Sequence, residues 1–209
     1  MIEPAEKHER VVCYVDGFNL YHGLKQHSKT RAYRWLNLWS LTEDLLLPGQ
    51  RLERVIFFTS LPPWSNAKRA RHERYIAALE SVGVEIVRGR FQKDESMCLA
   101  DCGKLYVNYV EKLTDVHIST TILRDGVEGK FDWAYLISGD ADQSPTIRTL
   151  RAMAPTRKVR VIFPPRRHAT ELEIVADSTA HLHPQVIKRN QLPQRIIVGA
   201  RVIEKPDTW

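Results

Sequence analysis

Five stretches of the chain are nearly continuous in apolar residues: RVVCYVD (10–16), RVIFFTS (54–60), GVEIVRGRF (83–91), WAYLIS (133–138) and KVRVIFP (158–164). Each is short and rich in β-branched or aromatic residues, the pattern of strands in a parallel sheet covered on both faces. Between them the apolar positions recur at helical spacing. SNAKRARHERYIAALESVG opens on Ser65, a good N-cap, and stops before Gly83. DVHISTTILRDG stops at Gly126, and SPTIRTLRAMA carries Pro145 in its first turn, where a missing N–H does no harm. TELEIVADSTAHL reads as one further helix with Leu172, Val175 and Ala176 on its apolar face. Strands alternating with helices predict a doubly wound α/β/α sandwich of three layers around a central, mainly parallel sheet. Residues 1–183 make up this domain. Residues 184–209, with Pro184, Pro193 and Pro206, read as an extension packing on it or trailing from it, with RIIVGARVI as a further strand.

Composition narrows the class. Of 209 residues 43% are hydrophobic and 27% charged, as in ordinary globular proteins. No apolar run approaches the roughly 20 residues of a membrane span. The start, MIEPAEKHER, has no apolar signal-peptide core, so the expectation is a cytoplasmic protein with no membrane partner. Cys13 lies in the first strand and reads as core. Cys98 and Cys102 form a C-x3-C pair without two further zinc ligands at a fitting spacing. The loop 92–105 around them reads as a lid or a docking surface.

Charge changes the picture more. The net charge of +6 favours a polyanionic partner. Basic residues concentrate in NAKRARHERY (66–75) and PPRRH (164–168), both following predicted strands. Arg69, Arg71, Arg74, Arg166 and Arg167 are the candidate phosphate clamps; the plainer alternative for each is a solvated surface charge.

Ligands of open α/β sheets bind beyond the carboxyl ends of the strands. The first predicted strand ends in Asp16, with Asn19 just after it. The fourth runs into SGDAD, which sets Ser138, Asp140 and Asp142 at its tip. Glu111 and Asp115 stand before or within the helix that precedes it. If the helix already runs at Glu111, the two share a face; if it starts near Thr114, Asp115 lies in its first turn. Gathered carboxylates repel one another, and a hard divalent cation such as Mg²⁺ offsets that cost. Together with a basic rim, this points to hydrolysis of a phosphodiester. Simpler roles compete at each position: Asp16 or Asp140 as helix caps, Asp115 as a partner of the helix dipole, Asn19 as a turn residue, Glu111 as a surface charge. His22 and His117 read as satisfied groups, and Tyr21, Trp35 and Trp39 as packing residues.

The motifs YVDGFNLYHGL, VEKLTDVHI and FDWAYLISGDADQSPTIRTLR, in this order, resemble the NYN domain, a branch of the PIN-like nucleases. The similarity continues through VRVIFPPRRHATELEIVADSTAHL and covers roughly residues 10–183. The resemblance implies a PIN-like fold and a Mg²⁺- or Mn²⁺-dependent ribonuclease acting on RNA, with an endoribonuclease the leading expectation. By it Asp16, Asp115, Asp140 and Asp142 would hold the metal, Glu111 and Asn19 would support them, and Ser138 would hold the loop. Many relatives carry another acid about two turns into the helix after TDV; here the positions read STTIL, with Thr120 and Thr121. Asp125, ten residues beyond Asp115, would lie about 15 Å away along a helix, too far to share a metal. Gln143 stands where many relatives are apolar. The competing class is a PIN-like module that binds RNA or a protein without cutting. A nucleotide-binding α/β protein ranks below both, because neither G-x-G-x-x-G nor G-x-x-x-x-G-K-[ST] occurs. A homodimer is compatible with the sequence.

Overall fold

The computed structural model describes residues 8–30, 32–97 and 102–209. In chain order the strands are β1 (Glu9–Asp16), β2 (Gln50–Thr59), β3 (Glu85–Arg88), β4 (Arg90–Met97), β5 (Leu105–Lys112), β6 (Trp133–Ile137), β7 (Lys158–Phe163), β8 (Ser178–His181), β9 (Arg195–Val198) and β10 (Arg201–Glu204). The helices are α1 (Gly17–Gln26), α2 (Leu38–Glu43), α3 (Asn66–Glu80), α4 (Thr114–Val127), α5 (Ser144–Met153), α6 (Thr170–Val175) and α7 (Pro184–Arg189).

Six strands form one parallel sheet in the order β3-β2-β1-β6-β7-β8. From β1 the chain works outward to β3, returns to the centre at β6, and works outward again to β8. The strand order therefore reverses between β1 and β6, which opens a crevice at their carboxyl ends. The apolar run of β1 is explained by its two covered faces. Val11, Cys13 and Val15 join one core layer, with Leu20 and Leu24 of α1 and Leu79 of α3. Val12 and Tyr14 join the other, with Ile118 and Ile122 of α4 and Leu150 of α5. The three-layer α/β/α architecture is the one expected from the sequence.

Several boundaries differ from the sequence reading. The run 83–91 is two strands: β3 pairs with β2 in the main sheet, whereas β4 pairs antiparallel with β5 as a separate hairpin. Much of the expected loop 92–105 thus belongs to this arm; Cys98 lies outside the described residues, and Cys102 is exposed. The helix expected over TELEIVADSTAHL ends at Val175, and Ser178–His181 becomes the edge strand β8. The main-chain N–H of Val159 donates to the Asp177 carboxylate (2.8 Å), a bond that helps seat β8 on the sheet. RIIVGARVI is a two-strand hairpin turning at Gly199 (φ 58°), not one strand.

The segment after Leu182 packs on the α1–α3 side. Ile187, Leu192 and Ile203 are buried in that core layer. The Trp35 indole donates to the Pro193 carbonyl (2.8 Å), and the Trp209 ring meets those of Trp35 and Tyr75. At the other side, Asp125 is fully buried near the end of α4. It accepts from the Tyr14 hydroxyl (3.0 Å), from Arg54 (3.0 Å) and from Arg124 (3.0 Å). Burial pushes its carboxyl up, but these partners outweigh that and hold it below its ordinary value. It is a structural anchor, well away from the crevice acids.

Candidate metal centre

Asp16 is the last residue of β1 and the N-cap of α1. One carboxylate oxygen accepts the Asn19 main-chain N–H (2.9 Å), and the other accepts the Ser138 hydroxyl (2.9 Å). Capping and clustering are therefore both true of it. The chain leaves the strand at Gly17 because nothing larger fits there: a Cβ would lie 2.6 Å from both the Phe57 ring and the Phe58 carbonyl of β2.

Ser138 follows β6 and is fully buried. Its oxygen also accepts the Asp140 main-chain N–H (3.1 Å), so one hydroxyl ties the two strand tips together. Asp140 in turn caps a short 3₁₀ turn (Ala141–Gln143) by accepting the Asp142 N–H (3.0 Å). Asn19 does not hang free in the crevice: its side-chain oxygen accepts the Gly139 N–H (3.0 Å) and pins this turn to α1. Asp115 arrives from a third direction, in the first turn of α4, after Leu113 reverses the chain in a left-handed conformation (φ 78°). The helix dipole there favours a carboxylate.

These elements bring Asp16, Asp115 and Asp140 together, with one oxygen from each lying within 4.8 Å of the others. Burial, reinforced by the Asp115 and Asp140 charges, pushes the Asp16 carboxyl up to about 7, against the pull of Asn19 and Ser138. Burial and the neighbouring Asp140 and Glu111 charges also raise Asp115. Three oxygen donors of like charge, one buried and one exposed, fit a hard divalent cation that keeps water on its open side. The residues present therefore suit Mg²⁺ or Mn²⁺ better than a soft metal, which would seek sulfur or imidazole.

The other expected site residues fall in distinct places. Asp142 is exposed and stands outside the group of three, although its charge also raises Asp115. Glu111 is not on the helix; it is the last residue but one of β5 and accepts the Thr114 hydroxyl (2.6 Å). Arg167 packs its backbone where a Gly139 side chain would be, and its charge, with burial, lowers His22. Arg166 is exposed with φ 58°. Arg71 lines a groove beside α1, Arg69 pairs with Glu73 along α3 (3.0 Å), and Arg74 faces Arg201 in a different cleft. Two residues without an expected role also matter. Thr114 is buried between Glu111 and Ser60. Gln143 is buried, with its oxygen accepting from Ser119 (3.2 Å) and Thr146 (3.3 Å), which locks α4 to α5 behind Asp115. The one signal for Gln143 comes from the family resemblance, which implies an apolar residue at its position.

Comparisons with known proteins give the family and the fold. The NYN domain model matches residues 10–183. A curated relative, 6-hydroxy-3-succinoylpyridine 3-monooxygenase HspA of Pseudomonas putida, is 25% identical over 239 aligned residues, covering 96% of this chain and 75% of the relative. The crystal structure of a protein of unknown function from Vibrio parahaemolyticus has the same fold, with a TM-score of 0.59 at 17% identity over 86% of this chain and 96% of that one. Family motif, strand order and converging carboxylates coincide, and the chain belongs to the NYN domain family, a branch of the PIN-like nucleases.

Proposed function

We propose that the protein is a metal-dependent endoribonuclease. The observation that carries this reading is the three-carboxylate cluster of Asp16, Asp115 and Asp140 at the switch point of the sheet. A bound Mg²⁺ or Mn²⁺ would neutralise phosphate charge and acidify an attacking water. The chain's own residues do the positioning. Ser138 fixes the spacing of Asp16 and Asp140, and Asn19 fixes the turn that carries Asp140. Asp16, which burial holds up near 7, would lose its proton on ligating a cation. Arg167 lies with its backbone against the Gly139 turn, and its charge acts on His22 of α1. Water forms a new bond to phosphorus as the bond to the leaving ribose oxygen breaks, and that oxygen takes up a proton.

The test uses circular RNA, which only an internal cut can open, incubated with Mn²⁺ or with EDTA. Cleavage is expected with Mn²⁺ and none with EDTA. Asp140→Asn keeps the capping oxygen yet removes a charge, and should slow cleavage by roughly a hundredfold or more. Cleavage that survives EDTA, or is equal in the variant, would overturn the reading.

The named relative favours a second reading, hydroxylation of a heteroaromatic ring, because the match spans nearly the whole chain. Such a reaction consumes O₂ and two electrons from a reductant. Oxygen uptake with 6-hydroxy-3-succinoylpyridine and a reduced nicotinamide, in the absence of RNA cleavage, would favour it over the nuclease.

A further inference from the structure

Beside the carboxylates runs a groove of about 440 Å³ between α1, α3 and the β4–β5 arm. Gly17 and Ser60 form one end of it. Gly17 follows Asp16 directly, and the Ser60 hydroxyl lies 3.4 Å from that of Thr114, the neighbour of Asp115. One end of the groove therefore lies at residues that adjoin Asp16 and the chain neighbour of Asp115.

Two features define what it would hold. Lys25, Arg34, Lys68 and Arg71 line it, and among the described residues no Asp or Glu does. In a chain with 25 acidic residues, that exclusion marks a binding surface for an anion. Aromatic rings form the second feature. Trp64 meets Phe91 at 4.8 Å and Tyr109 at 5.3 Å, while Phe18 stands opposite on α1. Phe18, Trp64 and Tyr109 are each more than a third exposed, with Trp64 at 44%. Phe91 and Tyr109 share one face of the arm with Glu111, since the register pairs Phe91 with Glu111 and Lys93 with Tyr109. The arm thus presents rings to the groove and a carboxylate to the root of α4 at the same time.

We infer that the Trp64–Phe91–Tyr109 cluster is a nucleobase-stacking subsite that seats single-stranded RNA, with Lys68 and Arg71 on its phosphates. The inference rests on the nuclease reading for its polarity: one phosphate lies at the carboxylates and the adjoining nucleotides lie along the groove. Solvent-facing rings stack on any base that is free of its partner, whereas a duplex keeps its bases inside.

Binding is measured by fluorescence anisotropy of a labelled oligoribonucleotide in EDTA, so cleavage plays no part. Wild type should prefer the single strand to the same strand in a duplex. Trp64→Ala should weaken single-strand binding by roughly tenfold to a hundredfold, and Trp64→Phe by much less. Trp64 is at the surface, so a matching thermal melt shows that the variant is folded. An abasic site placed at the stacked nucleotide should erase the difference between wild type and Trp64→Ala. Lys68→Ala with Arg71→Ala should flatten the salt dependence of binding by about one unit per lost contact. Equal binding by Trp64→Ala and wild type, or a preference for duplex, defeats the inference. RNA cleavage that is indifferent to Trp64 defeats it and leaves the nuclease reading standing. Ring-dependent binding without cleavage in Mn²⁺ does the reverse.

Discussion

At the residue scale, two buried titratable groups near the crevice pull stability in opposite directions. Burial, helped by Arg88, holds the His72 imidazole down to about 4, where it meets the Thr59 hydroxyl at 2.7 Å. The unfolded chain takes up this proton near its ordinary value, so the stabilisation is complete above about 6.5 and is lost as pH falls toward 4, by up to about 3 kcal/mol. Asp16 behaves inversely. Its carboxyl is protonated in the fold up to about 7, so without a cation it stabilises the fold as pH falls from about 7 toward its ordinary value. Cation-free wild type should therefore show a nearly flat profile. Asp16→Asn should lose stability on acidification, and His72→Gln should gain it. Urea midpoints at about pH 7.5 and about pH 5 check both signs. An unchanged profile in Asp16→Asn would show that the carboxyl is ionised across the whole range.

At the scale of elements, single polar side chains tie one element to another, as Ser138 and Asn19 do at the crevice. Asp125 does this for the rear of α4, joining it to β1 through Tyr14 and to β2 through Arg54. Asp125→Ala should cost about 2–3 kcal/mol, because the Tyr14 hydroxyl loses its partner while Arg54 keeps Glu85. The denaturation midpoint should shift, with cation affinity at the crevice unaltered. The sequence made Asp16, Ser138 and Asp140 legible because they stand where two nearly continuous apolar runs stop. It left Asp115 before or within a helix, and α4, starting at Thr114, puts it in the first turn. The sequence could not place Glu111, because β4 is polar over most of its length and no described residue of β4 or β5 is buried, so no apolar pattern marks the strands or their register. Nor could it stop the helix at Val175: the apolar residues Leu172, Val175 and Ala176 continue its periodicity, and the strand that follows is fixed by pairing with β7. The arginines of α3 share one basic segment, but helical rotation sends Arg71 and Arg74 to different clefts, a distinction that only the packed helix makes.

At the scale of the molecule, the sheet, its two helical layers and residues 184–209 share their packing. Trp35 is completely covered, in part by that last segment. Removing residues 184–209 takes away Ile187, Leu192 and Ile203, which together contribute about 5–9 kcal/mol of burial. That is comparable to the stability of a whole domain, about 5–15 kcal/mol, so the shortened chain should lack a cooperative thermal transition. A melt like that of the full chain would show that the segment is dispensable. The β4–β5 arm is the contrary case. It leaves the sheet at Gly89 and returns at Leu113, and no described residue from 90 to 112 belongs to either core layer. Folding therefore exerts little selection on its side chains. Mutations there can retune which ligand is admitted while the carboxylates and the sheet are inherited unchanged, so divergence of specificity within this lineage should concentrate in a hairpin that stability leaves free to vary.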